Sequence, residues 1–361
     1  MIVSAYYFIM TILSLLCSAI YMIKWNKHFD VYYSAIFMLI PFLNAGYFLV
    51  SVSKDVGEAL TATKITYLGG CYLLLLILMS IFSLCKITIS RWFTFILTSV
   101  STIIYICVLT AGHTRLFYDK VGIVTCGGFT TVKKTYGPVH KFFYALIILY
   151  FLISLVVIAY SYRCKKEASR KIITLLAITE AVSVFAFFFG RHFTQRIEWI
   201  PAAYLFDAVM YLFIIDRLPL YDIVSSVSES LVEHGESGFI SFDLKLNYLG
   251  ANATVKSFMP EIKNARVDKV PSDDEYYNSA KLWIEDFKKD GISRELFYER
   301  DGRVYKVRTA YLYDGNRKRG YQITVTDDTN HQQYLKTISD YNQNLRSEIA
   351  AKDAAIASLK C

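Results

Sequence analysis

The chain has 361 residues, of which 54% are hydrophobic and 19% are charged, and its mean hydropathy is +0.34. This composition excludes a disordered protein and is too apolar for an ordinary soluble enzyme. Residues 1–222 carry a net charge of +9, whereas residues 223–361 carry −1. Because the basic excess lies between apolar runs, it indicates contact with anionic lipid and argues against a nucleic-acid partner.

The first 215 residues contain seven stretches of about 20 mostly apolar residues, which is the length needed to cross a bilayer core of about 30 Å. The first five stretches contain no charged residue. We therefore predict a polytopic α-helical membrane protein with seven transmembrane helices. The predicted spans are Met1–Ile23, Val31–Ser53, Ile65–Cys85, Trp92–Ala111, Phe142–Tyr162, Ile172–Gly190 and Ile197–Ile215.

The distribution of basic residues between the spans predicts the orientation. The loops Lys24–Asp30, Lys86–Arg91 and Arg163–Lys171 carry nine basic residues in about 22 positions, whereas the opposite loops spread nine over about 47 positions. The first span begins at the initiator Met without a basic leader or cleavage signal, so we expect it to be retained. These features predict a multi-pass protein of the plasma membrane, with its N-terminus outside and its C-terminal half in the cytoplasm.

Two acidic residues interrupt the last two spans, Glu180 in the sixth and Asp207 in the seventh. Polar groups are costly in hydrocarbon, so both are candidates for intramembrane sensing, and their depths suggest that they face each other. The alternative is that each is neutral and hydrogen-bonded to hydroxyls of the bundle. Asn44, in the second span with Pro41, is a further candidate, although a kink with an internal hydrogen bond also explains it.

One long loop, Gly112–Lys141, separates the fourth and fifth spans on the predicted outer side. Its run Gly122–Val132 predicts two short β-rich segments around the turn Gly127–Gly128. Such a loop is a natural lid. His113 and His140 at its two ends are possible metal or proton sensors, but two histidines without a third partner are also explained by solvation at the interface.

After the last span the composition becomes polar, and a short amphipathic helix leads into a second region. Alternating apolar and polar residues, joined by Asp-Gly turns, predict an α+β domain with an antiparallel sheet, and a helix is predicted around Tyr276–Phe287. The expected strands are Gly238–Asp243, Leu246–Asn252, Glu295–Arg300, Val304–Tyr313 and Gly320–Val325.

The last 30 residues follow a heptad pattern, in which six of eight a and d positions are apolar. One Asn among β-branched a residues, with Leu at d, is typical of a parallel two-stranded coiled coil, whereas a helix packed on the sheet is the alternative. The predicted seam consists of Leu335, Ile338, Asn342, Leu345, Ile349, Ile356 and Leu359.

No GxGxxG, Walker or HExxH motif is present, and the spacing of Gly235–Gly238 is one residue too short for a nucleophile elbow. The seven cysteines form no CxxC pair, so we expect neither a disulfide framework nor a metal site. No residue marks a haem or flavin site, and the cofactor stays unknown. We therefore predict no catalytic residue and no catalytic domain in this chain.

Several local sequences together resemble bacterial membrane receptors that combine the seven-helix N-terminal region of histidine kinases, a PAS-like domain and a signalling helix. The resemblance covers nearly the whole chain. Its carriers are His113 with Leu116-Phe117-Tyr118, Tyr136-Gly137-Pro138, Asp216–Asp222 with Pro219 and Tyr221, Gly238–Asp243 with Asn252, and Asp327-Asp328-Thr329.

The resemblance implies a seven-transmembrane sensor region (1–216), a linker helix (217–232), a PAS-like domain (233–329) and a coiled-coil helix (330–361). It further implies that Tyr118, Tyr136 and Pro138 belong to an outer-loop site with His113, and that Asp216, Pro219, Tyr221 and Asp222 couple the regions.

The expected function is a homodimeric sensor that signals to an output domain or a separate partner protein. In the family the helix continues into a kinase, a diguanylate cyclase or an HD-type phosphodiesterase, whereas this sequence stops at Cys361. The alternative is an ion-coupled transporter or channel with a cytoplasmic regulatory domain.

Overall fold

The computed structural model describes residues 2–25, 29–126, 128–193, 197–218, 221, 237–271, 275–314 and 317–359. Two compact units divide the chain, Met1–Pro219 and Leu220–Cys361. The boundary lies within the segment that the sequence marks as the exit from the last apolar helix.

The first unit is a helical bundle, and six of its helices are long and apolar enough to cross a membrane. Its helices are α1 (Ile2–Lys24), α2 (Val31–Val52), α3 (Val56–Leu84), α4 (Arg91–Leu109), α5 (Pro138–Cys164), α6 (Arg170–Phe193) and α7 (Ile200–Ile215).

α3 forms the centre of the bundle because small and apolar side chains cover most of its surface. It packs against α2, α4 and α5, and α2 packs in turn against α1 and α7. Gly46 of α2 allows a close approach to α3, since a Cβ atom there would lie 2.3 Å from Thr66 Oγ1 and 2.6 Å from the Thr66 backbone nitrogen. Small residues at such contacts let helix backbones approach closely where the hydrophobic effect offers no driving force.

The last apolar helix is shorter than the sequence suggests. α7 has 16 residues and begins at Ile200, whereas the apolar run predicted a span from Ile197. Trp199 is the N-cap residue, and Pro201 occupies the first turn, where its missing N–H leaves no hydrogen bond unmade. The apolar run is therefore not helical over its first three residues.

A two-stranded antiparallel hairpin connects α4 to α5. Its strands are β1 (Tyr118–Cys126) and β2 (Phe129–Tyr136), so they are longer than the two short segments expected between 122 and 132. Thr130 Oγ1 donates a hydrogen bond to the Ser53 carbonyl oxygen at 2.7 Å, which ties β2 to the end of α2. The hairpin is therefore docked on the bundle.

The second unit contains a five-stranded antiparallel sheet in the order β4-β3-β7-β6-β5. Three helical segments connect β4 to β5: α8 (Ala253–Phe258), a 3₁₀ turn (Pro260–Asn264) and α9 (Glu275–Asp290). The strands are β3 (Ser237–Asp243), β4 (Tyr248–Ala251), β5 (Leu296–Arg300), β6 (Arg303–Asp314) and β7 (Arg317–Asp327). All five predicted strands are present, while α8 and the 3₁₀ turn escaped the sequence analysis.

The core of the second unit lies between one face of the sheet and these helices. Ile240, Val307 and Ile323 are fully buried from the sheet side, and Ala280 and Ile284 are buried from α9. Buried residues alternate with less buried ones along β7, and Ala280 and Ile284 are four residues apart on α9, as expected for a sheet face packed against a helix. The sequence periodicity therefore predicted the correct α+β class.

The chain ends in a long helix, α10 (Thr329–Leu359), which has 31 residues. Its described side chains from residue 333 onward are exposed, including large apolar ones. A helix that packed its apolar stripe on its own sheet would bury that stripe, so the described residues do not support that alternative.

Candidate functional site

The two acidic residues predicted in the spans lie together inside the helical bundle. Asp207 on α7 is fully buried, and Glu180 on α6 is 3% exposed. Ser183, one turn after Glu180, donates a hydrogen bond to Asp207 Oδ2 at 2.7 Å. The other oxygen, Oδ1, has no hydrogen-bond partner among the described residues. Glu180 is close enough to interact electrostatically with Asp207, and Ser154 of α5 hydrogen-bonds its carboxyl group.

Neutral hydroxyl groups surround this acidic pair. Tyr204 and Tyr211, one turn before and after Asp207 on α7, are buried. The Tyr211 hydroxyl hydrogen-bonds Ser80 of α3. An ionised carboxylate in such a place would require a cation or several donors, and Asp207 receives one hydrogen bond from a described residue. The arrangement is therefore suited to hold at least one proton.

Asn44, the third intramembrane candidate, makes a contact that is separate from the acidic pair. It is fully buried on α2, and its Nδ2 donates to the Met10 carbonyl oxygen of α1 at 3.4 Å. No described hydrogen bond joins it to the acidic pair. Its observed contact is the internal hydrogen bond that Pro41 and Asn44 together suggested.

Two of the predicted outer-loop residues meet at the base of the hairpin. Tyr118 is 2% exposed, and its ring lies 6.2 Å from that of Tyr136, which stacks on His140 at 3.9 Å. Lys134 Nζ donates to the Tyr118 hydroxyl at 3.3 Å. Burial, followed by the neighbouring Tyr67, raises the pKa of Tyr118, so this phenol stays neutral.

The other two outer-loop candidates do not join that contact. Pro138 begins α5, next to Gly137, whose N–H donates to the Phe117 carbonyl oxygen at 2.9 Å. A Cβ at Gly137 would lie 2.3 Å from the Leu116 carbonyl oxygen, which explains why a glycine fits there. His113 is exposed. Tyr136, Gly137 and Pro138 line an open surface cleft with Arg115, Leu116, Asp119 and Lys141.

The residues that the resemblance predicts to couple the regions divide between the two units. Asp216 follows α7 and accepts a hydrogen bond from Lys24 Nζ of α1 at 2.9 Å. Tyr221 donates its hydroxyl hydrogen bond to Asp268 Oδ1 at 2.8 Å within the second unit. Pro219 and Asp222, and most of the predicted linker helix, lie outside the described residues. Asp216 and Tyr221 are only five positions apart, yet Asp216 bonds within the first unit and Tyr221 within the second.

The ion pair between Lys24 and Asp216 permits a test by charge reversal. We expect Lys24→Glu and Asp216→Lys each to lower the thermal stability of the first unit, and the double variant to recover most of the loss. Because both side chains are nearly half exposed, the coupling energy should stay below about 1 kcal/mol. Thermal unfolding in nanodiscs measures it, and a double variant as unstable as the sum of the two changes would contradict the pairing.

A network of hydrogen bonds joins the sheet to α10. Asp327 Oδ1 accepts from the Thr329 N–H at 3.0 Å, and Thr329 Oγ1 accepts from the Val304 N–H at 3.0 Å. Asp328 Oδ2 accepts from Gln332 Nε2 at 2.7 Å. The Thr329 hydroxyl also donates to Asp327 Oδ1, and this hydrogen bond is the main cause that lowers the pKa of Asp327, whereas the hydrogen bond from Gln332 lowers the pKa of Asp328. The Asp-Asp-Thr sequence is thus the joint between strand β7 and the terminal helix.

The pKa of Asp327 predicts how this joint depends on pH. Its folded pKa is lowered, so its stabilisation is complete above the unfolded value of about 3.9 and is lost as the pH falls through the folded value. At neutral pH, Asp327→Ala should lower the free energy needed to open the first turn of α10 by about 1 kcal/mol. Amide exchange of residues 329–334 measures this opening. Asp301→Ala at an exposed turn is the control, and equal effects of the two changes would contradict the role of Asp327.

The predicted coiled-coil seam is exposed where the structure describes it. Leu335, Ile338, Leu345 and Ile349 are between 37% and 57% exposed, and Asn342 lies among them on the helix. The side chains of Ile356 and Leu359 lie outside the described residues. The described part of this helix therefore exposes a stripe of four large aliphatic side chains.

No group of three or more His, Cys, Asp and Glu side chains is arranged to hold a metal ion in the part of the chain that the structure describes.

Sequence reasoning missed several residues of the site, namely Ser183, Lys24 and Lys134. Lys24 carried a signal, since it ends an apolar helix, but neither Ser183 nor Lys134 could be distinguished from its neighbours by type or spacing.

The apolar helices, the buried acidic pair and the docked hairpin define a multi-pass helical membrane protein. Residues 6–224 match the N-terminal 7TM region of histidine kinase, which is more than half of the chain. The chain belongs to this family, and membership supports a sensor role.

Two solved structures are similar to parts of the chain. One is the sensor region of a sensor histidine kinase, with 20% identity and a TM-score of 0.21 over 26% of this chain and 40% of that one. The other is a domain of an HTR-like protein from Haloarcula marismortui ATCC 43049, with 15% identity and a TM-score of 0.20. That match covers 25% of this chain and 96% of the other. The chain thus spans less than half of the first structure. No curated protein matches it.

Proposed function

We propose that this chain is the sensing and signal-transmitting part of a dimeric receptor in the plasma membrane. In this proposal the N-terminus and the α4–α5 hairpin are outside, and the second unit is in the cytoplasm. Family membership and the distribution of basic residues support this orientation. A stimulus acts on the helical unit, and the change passes through the exit segment to the second unit and α10.

The second unit supports the role of a PAS-like relay. If β3 to β7 are renumbered 1 to 5 in chain order, the strands lie in the sheet in the order 2-1-5-4-3. All the described helical segments that connect strands lie between the second and third strands. This antiparallel sheet with its grouped helices is compatible with the PAS-like domain that the resemblance implied. Asn252 strengthens the start of the sheet, because its Oδ1 accepts from the N–H groups of both Phe239 and Val255. Asp327 and Thr329 then connect the last strand to the signalling helix.

The observation that carries the proposal is the exposed aliphatic stripe of α10. Four of its described members lie at heptad spacing on a helix of 31 residues, with Asn342 at the next a position after Leu335. A parallel partner helix would cover this stripe and would set Asn342 opposite its own copy, which fixes the register. The partner we propose is a second copy of the chain.

Phase-shifting insertions test the transmission step. Residues 1–359 are fused to a diguanylate cyclase domain that is active only as a correctly oriented dimer, with zero to seven extra helical residues between them. We expect cyclase activity to vary with insertion length and to return after seven residues, because the heptad repeats with that period. Activity that is independent of insertion length would contradict the proposal.

Ion-coupled transport is the second candidate function, and the burial of Glu180 and Asp207 is the observation that favours it. It predicts that Glu180→Gln and Asp207→Asn abolish flux of a proton or a monovalent cation into proteoliposomes. The sensor proposal predicts no flux above that of empty vesicles for the unmodified chain. A measured flux that depends on these two residues would replace the sensor with a transporter.

A further inference from the structure

An open cleft lies where the hairpin meets the first turn of α5. Its volume is about 600 Å³, which is within the range of sites that bind small molecules. The segment before β1, the two ends of the hairpin and the start of α5 all contribute to its lining. The cleft therefore lies at the junction between the hairpin and an apolar helix of the first unit.

Backbone hydrogen bonds hold the segments that line the cleft. The Gly137 N–H donates to the Phe117 carbonyl oxygen at 2.9 Å, and the Val139 N–H donates to the Leu116 carbonyl oxygen at 3.1 Å. A Cβ atom at Gly137 would lie 2.5 Å from the Arg115 carbonyl oxygen, so the two segments approach too closely for any side chain at this position. The cleft is thus already formed, and a ligand does not have to order these segments when it binds.

Three charged side chains line the cleft, and they carry both signs. Arg115 and Lys141 are cations, whereas Asp119 is a carboxylate. Arg115 Nε lies 3.9 Å from Asp119 Oδ1, and the two side chains are 86% and 40% exposed. An ion pair this long and this exposed is weak, so both groups can also bind a ligand. Lys141 is exposed and forms no ion pair with a residue that the structure describes.

Exposed apolar groups lie beside these charges. Leu116 is 46% exposed, Tyr136 is 36% exposed, and Pro138 is exposed as well. Together they give the cleft an apolar surface that is bordered by charged groups, which is the combination found in sites for small molecules. A complementary ligand carries a negative group, a positive group and an apolar group.

We infer that the cleft binds a small zwitterion of the amino-acid class with an apolar side chain. The carboxylate of the ligand accepts hydrogen bonds from the guanidinium of Arg115 and the ammonium of Lys141, and the ammonium of the ligand pairs with Asp119. The apolar side chain covers Leu116 and Tyr136. The ligand thereby bridges the start of β1 and the first turn of α5. Its role as the stimulus of the receptor rests on the proposed function.

The balance of charges distinguishes this ligand from simpler ones. A plain carboxylate meets the repulsion of Asp119, and a plain amine meets the repulsion of both Arg115 and Lys141. Because two cations face one carboxylate in the lining, the negative group of the ligand should contribute more to affinity than its positive group.

Ligand-observed NMR of the full chain in phosphatidylcholine nanodiscs tests the inference, with empty nanodiscs as the blank. The probes are phenylalanine, phenylpropanoate, which lacks the ammonium group, and phenylethylamine, which lacks the carboxylate. We expect phenylalanine to bind most tightly, phenylpropanoate to bind about three- to tenfold more weakly, and phenylethylamine to bind weakest. No binding of phenylalanine, or equal binding of either analogue, would overturn the inference.

Two variants assign the charges to individual side chains. Lys141→Gln should weaken the binding of phenylalanine and phenylpropanoate alike, by about three- to tenfold. Asp119→Asn should weaken phenylalanine by a similar factor but should not weaken phenylpropanoate, which has no ammonium group to lose its partner. Equal weakening of both ligands by Asp119→Asn would contradict the assignment.

Lys133→Gln is the matched control, because Lys133 is exposed on β2 and does not line the cleft. It should leave both affinities unchanged, and a loss as large as that of Lys141→Gln would overturn the cleft as the site. Binding requires neither dimerisation nor an output domain. A chain that fails to bind would therefore leave the proposed receptor with another stimulus, and a chain that binds but fails the insertion test would leave this site intact.

Discussion

Replacing Ile338 and Leu345 with lysine is expected to turn the dimer that we propose into monomers. Both residues are d positions of the exposed stripe on α10, seven residues apart. Each buried aliphatic side chain contributes about 1.5–3 kcal/mol, and the double change removes four of them per dimer and places four like charges in the seam. Association should weaken by at least about a thousandfold. Mass photometry of the chain in nanodiscs measures the stoichiometry.

The matched control is Thr337→Lys with Asn344→Lys. These residues are also seven apart and exposed on α10, they add the same charge, and they fall at outward-facing c positions of the heptad. The control should stay dimeric. If both double variants dissociate alike, or neither does, the heptad seam is not what holds the chains together.

Asp207→Asn is expected to fold and to unfold within a few degrees of the unmodified chain, whereas Asp207→Ala is expected to lose about 1–3 kcal/mol. The asparagine carbonyl can accept the hydrogen bond that Ser183 donates at 2.7 Å, and it is neutral like a protonated carboxyl. Alanine leaves the Ser183 hydroxyl unpaired in a buried place. Thermal unfolding in nanodiscs distinguishes these outcomes.

A double-mutant cycle between Asp207→Ala and Ser183→Ala isolates the pair, because each change removes the hydrogen bond between them. Hydrogen bonds between membrane helices contribute on average about 0.6 kcal/mol, and the coupling energy should be of this size. Asn44→Ala is the control for the loss of a buried polar group elsewhere in the bundle, because Asn44 bonds Met10 and not the acidic pair. An asparagine variant as unstable as the alanine variant would contradict a protonated Asp207.

The elements that the sequence predicted are those with a regular period. Strands β3, β5, β6 and β7 follow alternating residues and Asp-Gly turns, and α1 to α6 each contain a long, mostly apolar run. The start of α7 was placed three residues too early, because hydropathy cannot distinguish apolar helix from apolar loop and Pro201 was not used as a first-turn signal.

The contacts that make the sites were beyond sequence reasoning because they join distant residues. Lys24 and Asp216 are 192 positions apart, and Tyr67 and His140 are 73 apart. Asp207 was found because an acid in an apolar run is conspicuous, but its partner Ser183 is one of many serines. Which residues meet across helices depends on helix rotation, and a single sequence does not give it.

A disulfide scan along α10 tests the central claim most directly. In a variant in which the seven native cysteines are replaced, single cysteines are placed at each position from 335 to 350 and oxidised in the membrane. A parallel, in-register dimer predicts cross-linking maxima with a period of 3.5, at Leu335, Ile338, Asn342, Leu345 and Ile349. Maxima at Thr337 and Asn344, or no maxima at all, would contradict a receptor that signals through this helix pair.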